Sequence, residues 1–446
     1  MALFLKFFII SPTPYKFLVL LAVLFCGNFD SLAQQTTYSG ELSVQAMGGT
    51  EEQLPFWMHA NSRGRFTEDT HFSGRASGTA VYDLYYGGLF EVGAGGVFRN
   101  GSSKKFIADE AYLHFENSRI QATAGMKQQK ELYYGLSATN MNMLWSLNAR
   151  PLPGIKVGTT SPFYFSRNNI FGMEASWGDY YSGSIQEVKN VKVHHKSLHF
   201  LLNLQDKWLL KGGLRHFAQW GATTPGNKQG SIFSEYLRVI TGRQSPSGPN
   251  NHIGSWEGRI TRKYRNSSIE LIMDLPFESG HGAKLGNLPD GRYGIHWQRE
   301  EPEGLFQAVM YEFYSTMAQA PFEDYLTHHA YTGWIHKQEV LSTPFFNFHT
   351  KEWIIDRNRF SAHHLGIGGE VSNYYNSYPY RVLFTWLNSE GSFDLPQKEQ
   401  QFFAYYTSRL YDEDFTLDLQ LGAELSSLQS PNYAAGVSLS WHFSNF

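Results

Sequence analysis

The run DFTLDLQLGAEL, residues 414–425, alternates without a break. Phe415, Leu417, Leu419, Leu421, Ala423 and Leu425 share one parity, and Thr416, Asp418, Gln420, Gly422 and Glu424 share the other. Successive side chains of a strand point to opposite faces, so this segment has one apolar and one polar face. After a turn at Gln429–Asn432, AAGVSLSWHF (434–443) repeats the arrangement. Ala435, Val437, Leu439, Trp441 and Phe443 stand against Gly436, Ser438, Ser440 and His442. Each run is about ten residues, the length a tilted strand needs to cross a bilayer, whereas strands of soluble sheets average about five or six. The hairpin therefore reads as a membrane-crossing pair, apolar toward lipid and polar toward a lumen.

The same alternation recurs upstream. Ile107, Ala111, Leu113 and Phe115 oppose Glu110, Tyr112, His114 and Glu116, with Asp109 out of phase as at a strand end. Ile120, Ala122 and Ala124 oppose Gln121, Thr123 and Lys127; Ile269, Leu271, Met273 and Leu275 oppose Glu270 and Asp274; Tyr293, Ile295 and Trp297 oppose Arg292, His296 and Gln298. Charges on the polar face of many long strands imply a wet interior, since lipid cannot solvate them. Long polar segments at 49–72, 128–154, 220–230, 242–252, 276–291, 318–350 and 387–400 contrast with short ones at 116–119 and 205–207. That asymmetry belongs to outer-membrane barrels, and the spacing accommodates about sixteen to twenty strands. No repeat or linker divides the chain, so one domain is expected.

The first residues stand apart. FLVLLAVLF (17–25) follows Lys6 and Lys16, and Ser31-Leu32-Ala33 is a small-x-small cleavage site. Residues 1–33 read as a secretory signal peptide and 34–446 as the barrel domain. The single cysteine, Cys26, lies in the leader, so neither disulfide nor thiolate metal site is expected in the exported chain. Aromatics make up 16% of the residues, there are 42 glycines, and the formal net charge of −3 comes with no basic stripe. The balance argues against a nucleic-acid partner. Phe446, closing a strand after Trp441 and Phe443, fits the signal read by the barrel-assembly machinery, or an interfacial anchor.

No G-x-S-x-G elbow, H-E-x-x-H helix or phosphate loop is present. GAGG at 93–96 suits curvature or close backbone contact. The pairs His194-His195, His328-His329 and His363-His364 cannot chelate one metal from a strand, because neighbours there face apart. No cofactor or metal is expected. The loops are more informative. LPFWMHANSRGRF (54–66) sets Phe56 and Trp57 among His59, Asn61, Arg63 and Arg65. LWSLNARPLP (144–153) holds Trp145, Asn148 and Arg150, and AQWG (218–221) holds Gln219 and Trp220. FEDYLTHHAYTGW (322–334) adds Glu323, Asp324, Tyr325, His328, Tyr331 and Trp334. Rings beside planar donors suit sugars, whose C–H faces stack while hydroxyls take directional hydrogen bonds. The same residues also suit loops that fold inward and plug the pore.

Taken in order, LPFWMHANSRGRF, LWSLNARPLP, HHKSLHF, LRHFAQWGA, FESG (277–280), THHAYTGW with Pro344-Phe345, and RFSAHHLGIGGE resemble the Wzi-type capsule assembly proteins over residues 40–446. The resemblance implies an all-β, transmembrane antiparallel β-barrel of eighteen strands whose long extracellular loops occlude the mouth. It also implies a non-enzymatic, lectin-like protein that holds capsular or extracellular polysaccharide at the bacterial surface, with outer-membrane lipid around its wall. Enteric members carry a helical segment before the barrel, where this chain has strand-like YSGELSVQAMG (38–48). The rival readings are a diffusion porin with an open lumen and an outer-membrane hydrolase pairing Asp324 with His328 or His329.

Overall fold

The computed structural model describes residues 36–84, 87–101, 105–166, 168–185, 188–222, 232–244, 250–301, 304–319, 324–328, 331–349, 352–373 and 376–445. The signal-peptide reading and Phe446 lie outside them. Eighteen antiparallel strands close into a barrel. In chain order they are β1 Thr36–Gly49, β2 Phe72–Leu84, β3 Gly88–Arg99, β4 Phe106–Asn117, β5 Ile120–Met126 and β6 Gly154–Thr159. There follow β7 Phe171–Ile185, β8 Val188–Leu204, β9 Trp208–Trp220, β10 Asn251–Lys263, β11 Ser267–Phe277 and β12 Gly291–Arg299. The rest are β13 Ala308–Ser315, β14 Arg359–Ser372, β15 Ser377–Gly391, β16 Pro396–Asp412, β17 Phe415–Ser426 and β18 Asn432–Ser444. Phe163–Tyr164 continues β6, since both pair with β7. Each strand pairs with its sequence neighbour, and β1 closes on β18 with Ser39 opposite Ser444 and Gly49 opposite Ala434.

The alternation read from 414–443 sets the wall. Phe415, Leu421, Leu425, Val437, Leu439 and Trp441 are exposed on the outside. Gln420 accepts from the amide of Gln45 inside, and Glu424 accepts from the backbone N–H of Phe56 in a loop that has entered the lumen. Exposed rings gather at the two rims, with Tyr38, Phe415, Trp441 and Phe443 at one and Phe72, Trp386, Phe402 and Tyr433 at the other. Two aromatic girdles around an apolar band are what a bilayer selects at its interfaces. The rim with short connections at 118–119, 205–207, 264–266 and 413–414 is the periplasmic one, and 50–71, 127–153, 221–250, 278–290 and 316–358 extend from the other. Of the segments expected at 220–230 and 242–252, residues 223–231 and 245–249 lie outside the described residues; Trp220 ends β9, residues 251–252 begin β10, and the helix Ile232–Ile240 stands between. The loop expected at 387–400 shrinks to 392–395 because β15 and β16 pair as far as Gly391 and Pro396.

Two expectations are corrected. Opposite Gly95 and Gly96 the register of β4 jumps from Glu110 to Ala108, leaving Asp109 as the extra residue of a bulge. A bulge shifts side-chain phase by one, so Ile107 and Asp109 turn inward and are buried, and Asp109 is not at a strand end. The lumen is also not wet throughout. In its extracellular half the charges of Asp274, Arg292 and Glu312 are wholly buried, whereas pairs such as Lys127–Glu91 and Lys211–Glu174 remain part-exposed.

Candidate functional site: the plugged mouth

Loops 50–71, 127–153 and 316–358 fold down into the barrel and interlock. The one-turn helix Phe56–His59 lies against the wall where β17 is stripped of side chain: a Cβ on Gly422 would sit 2.7 Å from Sδ of Met58. Likewise a Cβ on Gly366 would sit 2.5 Å from the carbonyl oxygen of Leu136. Glycine on the lumenal face thus sets how closely the plug can approach. Above these contacts Phe56 stacks on Phe403 at 4.3 Å and on Phe345 at 6.0 Å, while Phe345 and Phe346 abut Phe360. Burial of such rings, with about 0.5–1.5 kcal/mol per aromatic pair beyond the area term, is the apolar part of the seal.

Backbone pairing supplies the polar part. The N–H groups of Arg63 and Gly64 donate to the carbonyls of Leu147 and Asn148, and those of Ser146 and Thr343 to Leu341 and Met143. Asn148 joins all three loops: its Oδ1 accepts from Asn61 N at 3.3 Å and its Nδ2 donates to Val340 O at 3.1 Å. Charged wall residues then fix the loops. Arg65 forks onto Asp109 at 2.9 and 2.7 Å. Glu312 accepts from Ser137 Oγ, Ala138 N and the Tyr314 hydroxyl at 2.8, 2.8 and 2.9 Å, and Arg292 reaches Asp274, Thr139 and the carbonyls of Asn140 and Met141. Glu257 accepts from Asn142 while held by Arg215 and His199. Asp274 and Arg292 are the charged inward residues read from the strands; Glu312, Glu257 and Arg215 join them, and together they hold a loop.

The residues singled out in the sequence are distributed as follows. Trp57 is buried and donates to Thr385 Oγ1 at 3.0 Å; Trp334 is fully buried and donates to Leu144 O at 2.7 Å. Trp145 packs edge-on against Tyr180, His195 and Trp334. Arg63 donates to Gln129 O, and Asn61 Nδ2 to Ala138 O. Gln219 is buried in the lumen, donating to Gly333 O and accepting from Asn251. Trp220 is not in a loop: it ends β9 on the outer wall, against Tyr236 at 5.3 Å. His328 lies 5.4 Å from the Tyr331 ring. Glu323 and His329 fall outside the described residues, and Asp324 Oδ1 accepts from Asn358 at 2.5 Å. His194 faces outward to Asp179 and His195 inward onto Phe217, as adjacent strand residues must.

Burial governs the loop titrations. It lowers His59 to about 4 and, with Lys337 and Arg150 nearby, His336 to about 3. It raises Glu339 to about 8 against the opposing pull of Arg150 and Arg99, and holds the Arg150 guanidinium below its usual range.

The outward side of the plug carries residues the sequence reading passed over. The hairpin formed by Asn347–His349 and Ile354–Arg357 rests on the upper end of β16, where Arg357 donates to Gln401 Oε1 at 2.6 Å. Phe348 and Trp353 meet edge to face at 5.8 Å, and Asn347 Nδ2 donates to Asp356 at 2.8 Å. Trp353 sits at φ 57°, a conformation bulky residues rarely adopt. Ring–amide–carboxylate adjacency in FNFHTKEWIID (346–356) was the available signal.

The class is therefore a bacterial outer-membrane β-barrel whose own loops close its mouth. No protein-family model and no curated relative matches the sequence. Among solved structures the chain is similar to Wzi of Escherichia coli, an outer-membrane, carbohydrate-binding β-barrel involved in group 1 capsule assembly. The TM-score is 0.58 at 12% identity, over 96% of this chain and 89% of that one. It is also similar to OccK5 and OprD of Pseudomonas aeruginosa, each at TM-score 0.49 and 8% identity over 92% of this chain, and 99% and 96% of theirs. At 12% identity what Wzi and this chain share is the barrel fold, which is the fold that the sequence motifs implied.

Proposed function

We propose that the protein binds a surface polysaccharide at its extracellular face and helps assemble or retain a capsule or exopolysaccharide, without catalysis. The observation that carries this reading is the three-loop plug. A barrel that fills its own mouth with Phe56, Trp57, Trp145, Trp334 and Phe345 is built to present a fixed outer surface rather than to pass solutes. The carbohydrate-binding function of Wzi supports the same reading.

In this account Trp57, Trp145, Trp334, His59, Asn61, Arg63, Asn148, Arg150, Gln219 and His328 form the platform. Phe348 and Trp353, with Asn347 and Asp356 beside them, are the rings and planar groups that meet sugar. Trp220, on the outer wall, serves neither part. The test is retention of the producing cell's own extracellular polysaccharide on immobilised, folded protein. Trp353→Ala is expected to weaken retention about tenfold, the ~1–3 kcal/mol that a ring stacked on a planar partner contributes. Equal retention by folded wild type and Trp353→Ala removes this hairpin from the binding surface, and no retention by wild type removes the function.

A further inference from the structure

The helix Ile232–Ile240 lies outside the barrel, not over its mouth. Val239 packs on Ala218 and Trp220, both outward residues of β9. Tyr236 donates to Asp179 Oδ2 at 2.5 Å, and the ammonium of Lys196 donates to the last helical carbonyl, Ile240 O. A cation at a helix C-terminus is where the helix dipole favours it. The wall side of the helix thus accounts for the polar outward residues Asp179, His194 and Lys196, midway along β7 and β8 and level with His216 and Ala218 of β9. Its other side needs a different environment: Ile232, Phe233 and Leu237 are 57%, 71% and 47% exposed. An apolar helix face at the height of the upper aromatic girdle belongs in the interface of the outer leaflet.

A second overhang flanks it. In loop 278–290 the carbonyl of Ala283 accepts from the indole of Trp256, an outward residue of β10, and Leu285 and Leu288 are exposed beyond it. Between and below the overhangs the outer wall encloses a crevice of about 1350 Å³ lined by Trp177, Leu198, Leu214, Trp256, Met273 and Leu275. Lys196 and Lys284 line it too. Lys192, over the Trp220 ring at 4.5 Å, and the exposed Arg243 past the helix end add positive charge on this side. The carboxylate among the lining residues, Glu257, is held from the lumen by Arg215 and His199, and Asp179 is engaged by His194 and Tyr236.

We propose that this crevice is a binding site for one outer-leaflet lipid with a phosphorylated head group, its acyl chains along the Trp177–Trp256 wall and its phosphate between Lys196 and Lys284. Bilayer chains fill any apolar groove they face; the two cations that line this one, Lys196 and Lys284, select an anionic head. An ammonium has three donors, so Lys196 can cap the helix and still meet a phosphate oxygen.

The test uses the full barrel in detergent with lipid A bisphosphate and its dephosphorylated form as probes, read by native mass spectrometry. Wild type is expected to hold the phosphorylated form about tenfold or more tighter, and Lys196→Gln/Lys284→Gln to lose that preference. A label at Phe233→Cys, unique because residues 36–446 lack cysteine, is expected to be reached in vesicles by oxygen and not by a water-soluble relaxing agent. Should the double variant expose this label to water, Lys284→Gln alone carries the test, with an expected loss of about threefold or more. Equal affinity of wild type for the two lipids, undiminished preference in the folded variant, or a wild-type label in water each overturns the site.

Discussion

Trp334 and Trp353 are nineteen positions apart in one loop and do different work. Trp334 is fully buried with its indole N–H on Leu144 O, so truncation empties the centre of the plug. Trp334→Ala is expected to cost about 3–5 kcal/mol of loop docking and to produce ion current while polysaccharide retention persists. Trp353→Ala is expected to do the reverse, so a variant pair with matching effects on both readouts contradicts the division. Arg292 is the electrostatic counterpart. Arg292→Met leaves the Glu312 carboxylate without its cation, and Asp274 with Arg259 alone, at an expected cost of about 3–5 kcal/mol in heat-modifiable mobility or denaturant unfolding. A loss under about 1 kcal/mol would show that the buried network is dispensable. Protonation acts on the same seam. His59 and His336 are neutral when docked, lowered to about 4 and about 3 from 6.5, so released loops bind more protons. Docking is therefore complete above about pH 6.5 and is lost as pH falls toward 4. Glu339 has the opposite sign. Its proton is retained up to about pH 8, so its contribution is full below its ordinary 4.5 and is lost as pH rises through 8. Openings that become frequent below pH 5, and an alkaline limb that Glu339→Gln removes, are the expected records; a flat profile contradicts both assignments.

At the scale of strands, the face assignment of 414–425 is open to a direct comparison. Leu419→Arg places a charge in lipid and is expected to destabilise the barrel by about 2–4 kcal/mol if near midplane, while Gln420→Arg faces the lumen beside Gln45 and is tolerated. Equal damage removes the assignment. These strands were legible because lipid outside and polar groups inside impose strict alternation. Asp109 was not, because a bulge shifts the phase by one residue and a single sequence does not mark where that occurs. The loop expected at 387–400 was overdrawn because Asn388, Ser389 and Gln400 look like loop residues, yet they are β-paired at the rim, where small polar residues replace the apolar alternation. AQWG failed similarly, since Trp220 reads as a loop aromatic until the helix that covers it is known.

For the molecule as a whole, closure, a strand number between about sixteen and twenty, and membrane side follow from length, alternation and loop asymmetry, while the figure of eighteen comes from the resemblance. What the sequence leaves undivided is the pool of loop aromatics, because stacking on sugar and packing in a plug require the same rings beside the same planar donors. The fold begins to separate them, by passing Asn148 between Asn61 and Val340 and setting Phe348 and Trp353, only partly buried, against the edge of the plug. The central claim is that the native barrel is sealed by its own loops and works at its outer surface. Single-channel recording of the wild-type protein in a planar bilayer at pH 7 tests it most directly. No steady current is expected from wild type, and measurable openings are expected from Trp334→Ala under the same conditions. Large, stable openings in the wild-type protein would contradict it and make the barrel a diffusion pore.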